Sequence, residues 1–346
     1  MQFLWEYLKT TEKPILLYGM GNGADKIISR LEADRVSIKG VFASDDFVRG
    51  QRFHNFEVIT YSKAKELFGQ FIVLTAFGTK RPEVLNNIER IANEQELYIV
   101  DVPVFGETVF DKAYFKAHEE AYNSILSRFS DVRSSEVFKS IVEFKLSGSF
   151  SALKAAENNE TETYKTLVDI KENAVVFDLG AYIGDTAEHF LRLQPKLSRI
   201  VAVEPALKNF RKLESLAGKA TKIIPLNAAV SKENGEVSFS GKSGRNQSIG
   251  NGKETIKSVS IDKLANDFGA PDFIKFDVEG AEAEALLSGA ETIKNCSPTL
   301  YISAYHRSED LFEIPKLVLS LNPNYKMFIR HYPHIPCWDT YYIFKK

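Results

Sequence analysis

A chain of 346 residues, 44% of them hydrophobic, is long enough for about two domains with real cores. Its 44 Lys and Arg stand against 46 Asp and Glu, and the evenly mixed net charge of −2 leaves no basic footprint for nucleic acid and no polybasic patch for a membrane. The apolar runs are strand-sized and the start, from Met1 to Glu6, lacks a signal-peptide pattern, so a cytoplasmic protein without membrane spans is expected.

In chain order, the first predicted strand is 14–18, and it enters a turn with Gly19, Gly21 and Gly23 before a helix. A second strand over 36–42 ends near Asp45 and Asp46, and a third over 71–77 precedes a further helix. Strand, glycine turn, helix and acid in this order predict a small Rossmann-like α/β unit over 1–106. A nucleotide or nucleotide sugar on the three glycines, with Asp45 or Asp46 on a ribose, is one reading. The other is a structural module used for assembly, because Ala24 stands where the last glycine of G-x-G-x-x-G belongs.

Residues 107–170 are rich in Glu, Lys and Ser, and Tyr114, Phe115, His118, Tyr122 and Ile125 recur at helical spacing, which predicts a packed helical connector. The polar run 155–162 reads as a surface loop in front of the next unit.

The chemistry concentrates beyond residue 171. An apolar strand at 175–179 runs into Gly180, Ala181, Tyr182, Gly184, Asp185 and Thr186, and the next apolar run, 200–203, ends at Glu204 and Pro205. A doubly wound sheet places a carboxylate such as Glu204 against a ribose diol. The turn is D-x-G-x-x-x-G, and Asp178 at its head would repel a diphosphate but attract the α-ammonium group of a methionine moiety, which favours S-adenosylmethionine over NAD. Gly180 is expected to admit the ligand closely and Gly184 to let the helix pack on the strand. A third strand, 222–230, ends around Asn227 and Ala228, suited to an adenine edge. A fourth, 273–282, delivers Lys275, Asp277 and Glu279 to the same rim, and a fifth, 299–306, ends in Tyr305 and His306.

The motifs D-L-G-A-Y-I-G-D-T at 178–186, E-P at 204–205, N-A-A at 227–229 and K-F-D-V-E-G-A-E at 275–282 make this half of the chain resemble the FkbM family of S-adenosylmethionine-dependent methyltransferases. The likeness extends over roughly 171–346, and 131–135 with 144–148 resemble the helical preface of some members; Tyr182 stands where many members carry Asn. It implies an α/β fold with a C-terminal class I, seven-stranded methyltransferase domain over 171–346, whose last strand is antiparallel beside the fifth. Two β-rich runs, 325–330 and 340–344, supply that hairpin. The resemblance further implies O-methylation of a sugar, glycan or related small-molecule acceptor. A nicotinamide-dependent oxidoreductase, or a non-catalytic nucleotide-binding protein using the N-terminal glycines, is the competing class.

For methyl transfer to oxygen, the site must align the reactants and remove a hydroxyl proton. His306 is expected as the general base, neutral at cellular pH and facing the pocket, the other reading being a histidine that caps a strand or is hydrogen-bonded in the core. Asp277 and Glu279 should share one side of an extended chain with Val278 on the other, and one of them is expected to hold cofactor or acceptor. The other readings are a structural salt bridge for Asp277 and, for Glu279, orientation of the following helix through its N-terminal dipole. Lys275 is open between oxyanion stabilisation and pairing with these acids, and Tyr182 between a cation–π contact and packing. Two carboxylates and a histidine also form a donor set for Mg²⁺, but nothing in the spacing demands a metal. The polar segment 241–252 reads either as a mobile loop over the cofactor or acceptor or as a plain surface loop. Cys296 and Cys337 lack metal or disulfide spacing and are expected as packing residues. Self-association into a homo-oligomer stays open.

Overall fold

The computed structural model describes residues 1–240, 248–249 and 254–346; the expected loop at 241–252 therefore lies, apart from 248–249, outside the described residues. Strands alternate with amphipathic helices in both halves of the chain, and this is the pattern that builds parallel sheets covered by helices.

The first sheet has six strands in the spatial order Arg52–Phe53, Phe56–Thr60, Gly40–Ala43, Ile15–Tyr18, Ile72–Thr75, Glu96–Ile99. All its pairs are parallel except the hairpin of the first two. Its three central strands are buried along their whole length. Phe56–Thr60 and Glu96–Ile99, missing from the sequence reading, are largely half-buried and carry a weaker apolar signal.

The second sheet has seven strands in the order Lys326–His331, Thr340–Lys345, Thr299–Ser303, Phe273–Phe276, Val175–Leu179, Arg199–Val203, Ile223–Leu226. The last five in this order run parallel, and Thr340–Lys345 lies antiparallel between Thr299–Ser303 and Lys326–His331. Five parallel strands bring five carboxyl ends to one rim, where ligands of such sheets bind. A further small sheet, Ala229–Val230, Glu254–Val259, Gly235–Ser240 and Ser248–Ile249, stands beside that rim. The sequence reading missed its hairpin because Gly235–Ser240 and Glu254–Val259 are short and each carries only two apolar residues to mark an alternation.

The connector is helical, as its periodicity implies. Its longest helix, Val132–Ser147, starts where the Asp131 side chain accepts a hydrogen bond from the Ser134 amide and stops at Gly148 in the left-handed conformation, φ +66°. The helix packs on the edge strand Lys326–His331, and Ser134 Oγ accepts from the Ile329 amide at 3.1 Å and from Arg330 at 2.8 Å. Flanking segments finish the edge: the Ser130 amide donates to Met327 O at 2.9 Å and the Asn158 amide to His331 O at 2.8 Å. The run 155–162 is accordingly no plain surface loop; Ala156 closes a helix and is buried, and Glu157 bridges to His331. One continuous apolar cluster runs from Leu16 and Phe42 through Phe138 and Phe144 to Ile274 and Leu300, joining both sheets through the connector. Of the cysteines, Cys337 is buried as expected, but Cys296 is exposed at the end of the helix Ala290–Cys296.

Candidate functional site

The strand Val175–Leu179 leaves the sheet through a turn in which Gly180, Tyr182 and Gly184 all have positive φ, at +79°, +50° and +89°. Gly180 is required by packing: a Cβ there would stand 1.8 Å from the carbonyl oxygen of Asp277, where the neighbouring strand ends. The close approach expected toward a ligand is thus made to the backbone. Gly184 seats the helix Asp185–Leu193 against Leu213 and Leu216 of the helix Leu207–Ala217, a helix-to-helix contact instead of the expected helix-to-strand one. Gly180→Ala is expected to destabilise the fold by about 2–4 kcal/mol, from backbone strain plus overpacking, and a melting temperature unchanged from wild type would contradict this.

Glu204 ends the strand Arg199–Val203 and is 5% exposed. Its carboxylate accepts from the Tyr182 amide at 2.9 Å and the Ala206 amide at 2.9 Å, so the first glycine turn and the second strand end are tied together. Burial pushes its pKa up, and the Ala206 amide and Asn209 work against that shift. Asn227 ties in the third strand end, donating to the carbonyls of Glu204 at 2.9 Å and Pro205 at 3.0 Å.

These ends line one cleft of about 1460 Å³, whose wall includes Gly180, Tyr182, Asp185, Thr186, Glu204, Pro205, Asn227, Ala228, Lys275, Asp277 and Glu279. Ala181 is buried and off the wall, its amide spent on Val203 O at 2.9 Å. Asp178 is also off the wall: it is fully buried, paired with Lys275 at 3.4 Å, and its pKa is raised by burial against the pull of that lysine. It therefore does not offer its carboxylate to a ligand's ammonium group. Lys275, open in the sequence reading, pairs with both Asp178 and Asp277, the latter at 3.5 Å; burial opposes its charge, but these two acids hold it protonated.

His306 departs most from expectation. It is 2% exposed and does not reach the cleft wall. Its Nδ1 lies 2.8 Å from Glu282 Oε1, and its Nε2 lies 3.6 Å from both Asp277 Oδ1 and Glu279 Oε2. Burial works against its charge, but Glu282, followed by Asp277 and Glu279, more than reverses this and lifts the pKa to about 10. The side chain is an imidazolium at neutral pH, with no lone pair to take a proton, so the general-base role expected of it is not supported. Glu282 is buried at 1% exposure, and its Oε1 also accepts from Ser303 Oγ at 3.0 Å and the Val278 amide at 3.1 Å. From the N-terminal side, the Phe105 amide donates to His306 O at 2.9 Å and the Phe105 ring meets the imidazole edge-on.

Asp277 and Glu279 do share the cleft, though for another reason than strand alternation. The strand stops at Phe276, and the chain turns through Glu279 at φ +55° and Gly280 at φ +88°, so Val278 lines the cleft as well. Tyr182 is 53% exposed on the wall. Sequence reasoning missed Glu282, although it is the last letter of the 275–282 motif. It also missed the cleft residue Tyr305 as a partner of Asp277 at 3.0 Å, the hairpin residues Glu236, Thr255 and Lys257, and Lys80. Among the described residues no group of His, Cys, Asp and Glu is arranged to hold a metal ion, and no helix is long and apolar enough to cross a membrane.

A smaller cleft of about 370 Å³ lies beside the N-terminal glycine turn, lined by Met20, Gly23, Lys26, Phe77 and Trp338 among others. Asp45 and Asp46, expected on a ribose, are not on its wall but in the short helical turn Asp45–Phe47. The Lys26 ammonium is spent on backbone carbonyls, with Pro103 O at 2.7 Å. The pattern of a dinucleotide site is therefore incomplete here.

Residues 178–327 match a family model described as the methyltransferase FkbM domain. Among curated proteins, the chain is similar to the 2-O-methyltransferase NoeI of Sinorhizobium fredii (strain NBRC 101917 / NGR234), 23% identical over 188 residues that cover 45% of this chain and 74% of that protein. Among solved structures, it is similar in fold to the methyltransferase FkbM of Methylobacillus flagellatus KT, with a TM-score of 0.73, 19% identity, and coverage of 98% of this chain and 92% of that one.

Proposed function

Starting from a chain that carries an FkbM methyltransferase domain at residues 178–327, we propose that it moves the methyl group of S-adenosylmethionine onto a hydroxyl oxygen of a sugar, a glycan or a related small molecule. The observation that carries this reading is the convergence of three carboxylates, Glu204, Asp277 and Glu279, from two strand ends onto one cleft. An adenosyl sulfonium fits that donor set. Glu204, with its two oxygens oriented by the Tyr182 and Ala206 amides, would take the ribose diol in this reading. Asp277 and Glu279 supply negative charge for a cation, and a cleft of about 1460 Å³ has room for a cofactor and an acceptor together. The description of the similar NoeI protein as a 2-O-methyltransferase supports oxygen as the receiving atom.

The cofactor supplies an electrophilic methyl group on sulfur. The protein has to hold an acceptor hydroxyl in line with it and accept the proton. Asp277 is poorly suited to take that proton, because Tyr305 Oη donates to one of its oxygens at 3.0 Å and the Lys275 ammonium lies 3.5 Å from the other. Glu279, with 43% of its side chain exposed, is the more open carboxylate and is assigned as proton acceptor. His306 sits behind both acids and holds them by charge.

Calorimetric titration tests the cofactor. Wild type is expected to bind S-adenosylmethionine and S-adenosylhomocysteine and not NAD. Glu204→Ala should weaken both adenosyl ligands by about 10- to 100-fold, the loss of charge-assisted hydrogen bonds to a diol. Adenosyl-ligand affinity equal in wild type and variant would remove Glu204 from the site, and NAD binding in place of adenosyl ligands would overturn the reading.

A further inference from the structure

The N-terminal sheet has no part in the reading above, yet one of its loops reaches the large cleft. After Ile72–Thr75 the chain pairs with the loop between the two C-terminal strands: the Thr79 amide donates to Ile335 O at 2.8 Å and the Ile335 amide to Thr79 O at 3.0 Å. Gly78 lies so close under Trp338 that an added Cβ would stand 2.1 Å from the ring. The next residue, Lys80, is thereby held at the cleft wall, and its Nζ lies 3.3 Å from Asp339 Oδ2. Glu160, at the start of the short helix Glu160–Thr163, and Asp185, at the start of the helix after the glycine turn, line the same wall. One cation is thus surrounded by three acids from three separate parts of the chain, and burial together with Asp339 raises the Glu160 pKa.

The proposed cofactor ends in an α-amino acid, which needs a cation for its carboxylate and an anion for its ammonium. Asp178, the acid expected there, is buried and occupied by Lys275. Other cations on the wall are placed elsewhere. Lys275 is held between two acids, Lys208 and Lys212 belong to the helix that starts beyond Glu204, and Lys257 belongs to the adjoining hairpin. We propose, resting on the cofactor reading above, that Lys80, Asp339 and Glu160 form the subsite for the amino-acid end of the cofactor. Lys80, whose side chain is 70% exposed and so able to swing, turns from Asp339 to the carboxylate. Asp339 and Glu160 then face the ammonium. The N-terminal sheet thereby acts as part of the cofactor site of the other half of the chain.

The test is calorimetric titration of wild type, Lys80→Ala and Lys80→Arg with S-adenosylhomocysteine and with 5′-methylthioadenosine, which keeps the adenosine and thioether but lacks the amino-acid end. Lys80→Ala is expected to weaken S-adenosylhomocysteine by about tenfold or more. It should leave 5′-methylthioadenosine as in wild type, and Lys80→Arg should recover most of the loss. A loss shared equally by both ligands would mean a disturbed cleft, and no loss for either would mean an idle lysine; each overturns the subsite while leaving the cofactor standing. A wild type that binds neither ligand overturns the cofactor reading and the subsite with it.

Discussion

Glu279→Gln is expected to lower kcat for methyl transfer by about 10²- to 10⁴-fold, the usual worth of a positioned proton acceptor, while leaving S-adenosylhomocysteine affinity near wild type. His306, the first choice from the sequence, is held as an imidazolium by Glu282 at 2.8 Å. Asp277 has one oxygen on Tyr305 and the other beside Lys275. Glu279 lines the cleft with 43% of its side chain exposed, against 23% for Asp277, and a turn holds it in the left-handed region at φ +55°. S-adenosylhomocysteine carries no sulfonium charge, so its binding should not feel the loss of the acid. A Glu279→Gln enzyme with wild-type kcat would move the proton to Asp277 or to solvent.

Glu282→Gln should have the largest effect on stability. Removing one partner of a buried ion pair leaves an uncompensated charge and costs about 3–5 kcal/mol. Here the stranded group is His306, which also faces Asp277 and Glu279, with Asp310 and Arg307 close by. The pH dependence has a definite sign. His306 is raised from an ordinary 6.5 to about 10, so it adds stability that is complete below pH 6.5 and is lost as pH rises through about 10. Asp310, pushed up to about 7 by burial and by Glu282, adds a loss of the same sign from about pH 4 to 7. Denaturant unfolding of wild type across pH 6 to 10 should therefore show falling stability, with a shallower fall in Glu282→Gln. Equal stability of the two proteins, with parallel pH profiles, would show that the pair contributes nothing.

Most of the candidate cleft was legible in the sequence because strand ends announce themselves. An apolar run followed by a polar residue places that residue on the rim of a parallel sheet, and Gly180, Glu204, Asn227, Asp277 and Glu279 all reached the same cleft in this way. The orientation of a side chain at that rim was not legible. Asp178 points inward, which only the register of the neighbouring strand, with Lys275 opposite it, decides, and His306 lies three residues beyond the strand Thr299–Ser303, in a loop whose course no strand period reports. The protonation of His306 was hidden for a related reason: Glu282 lies 24 positions away, inside a motif whose earlier letters drew attention. Lys80 carried no signal, because its relevance depends on a contact with Ile335 and Asp339 across 250 residues or more. Local periodicity reports what a segment covers. It does not report which distant segment covers it.

The cover over the strand Lys326–His331 has a consequence for the order of assembly. The segments that satisfy that strand's outer backbone groups, around Ser130 and Asn158, stand 197 and 173 residues earlier in the chain than the residues they pair with. A ribosome therefore delivers the cap well before the strand it will cap. The helix Val132–Ser147 can fold on local contacts and wait as a template, whereas the strand emerges to find its edge already occupied. That border of the sheet is in this way covered by the protein's own earlier residues, which leaves its backbone groups at Met327 and His331 paired within the chain.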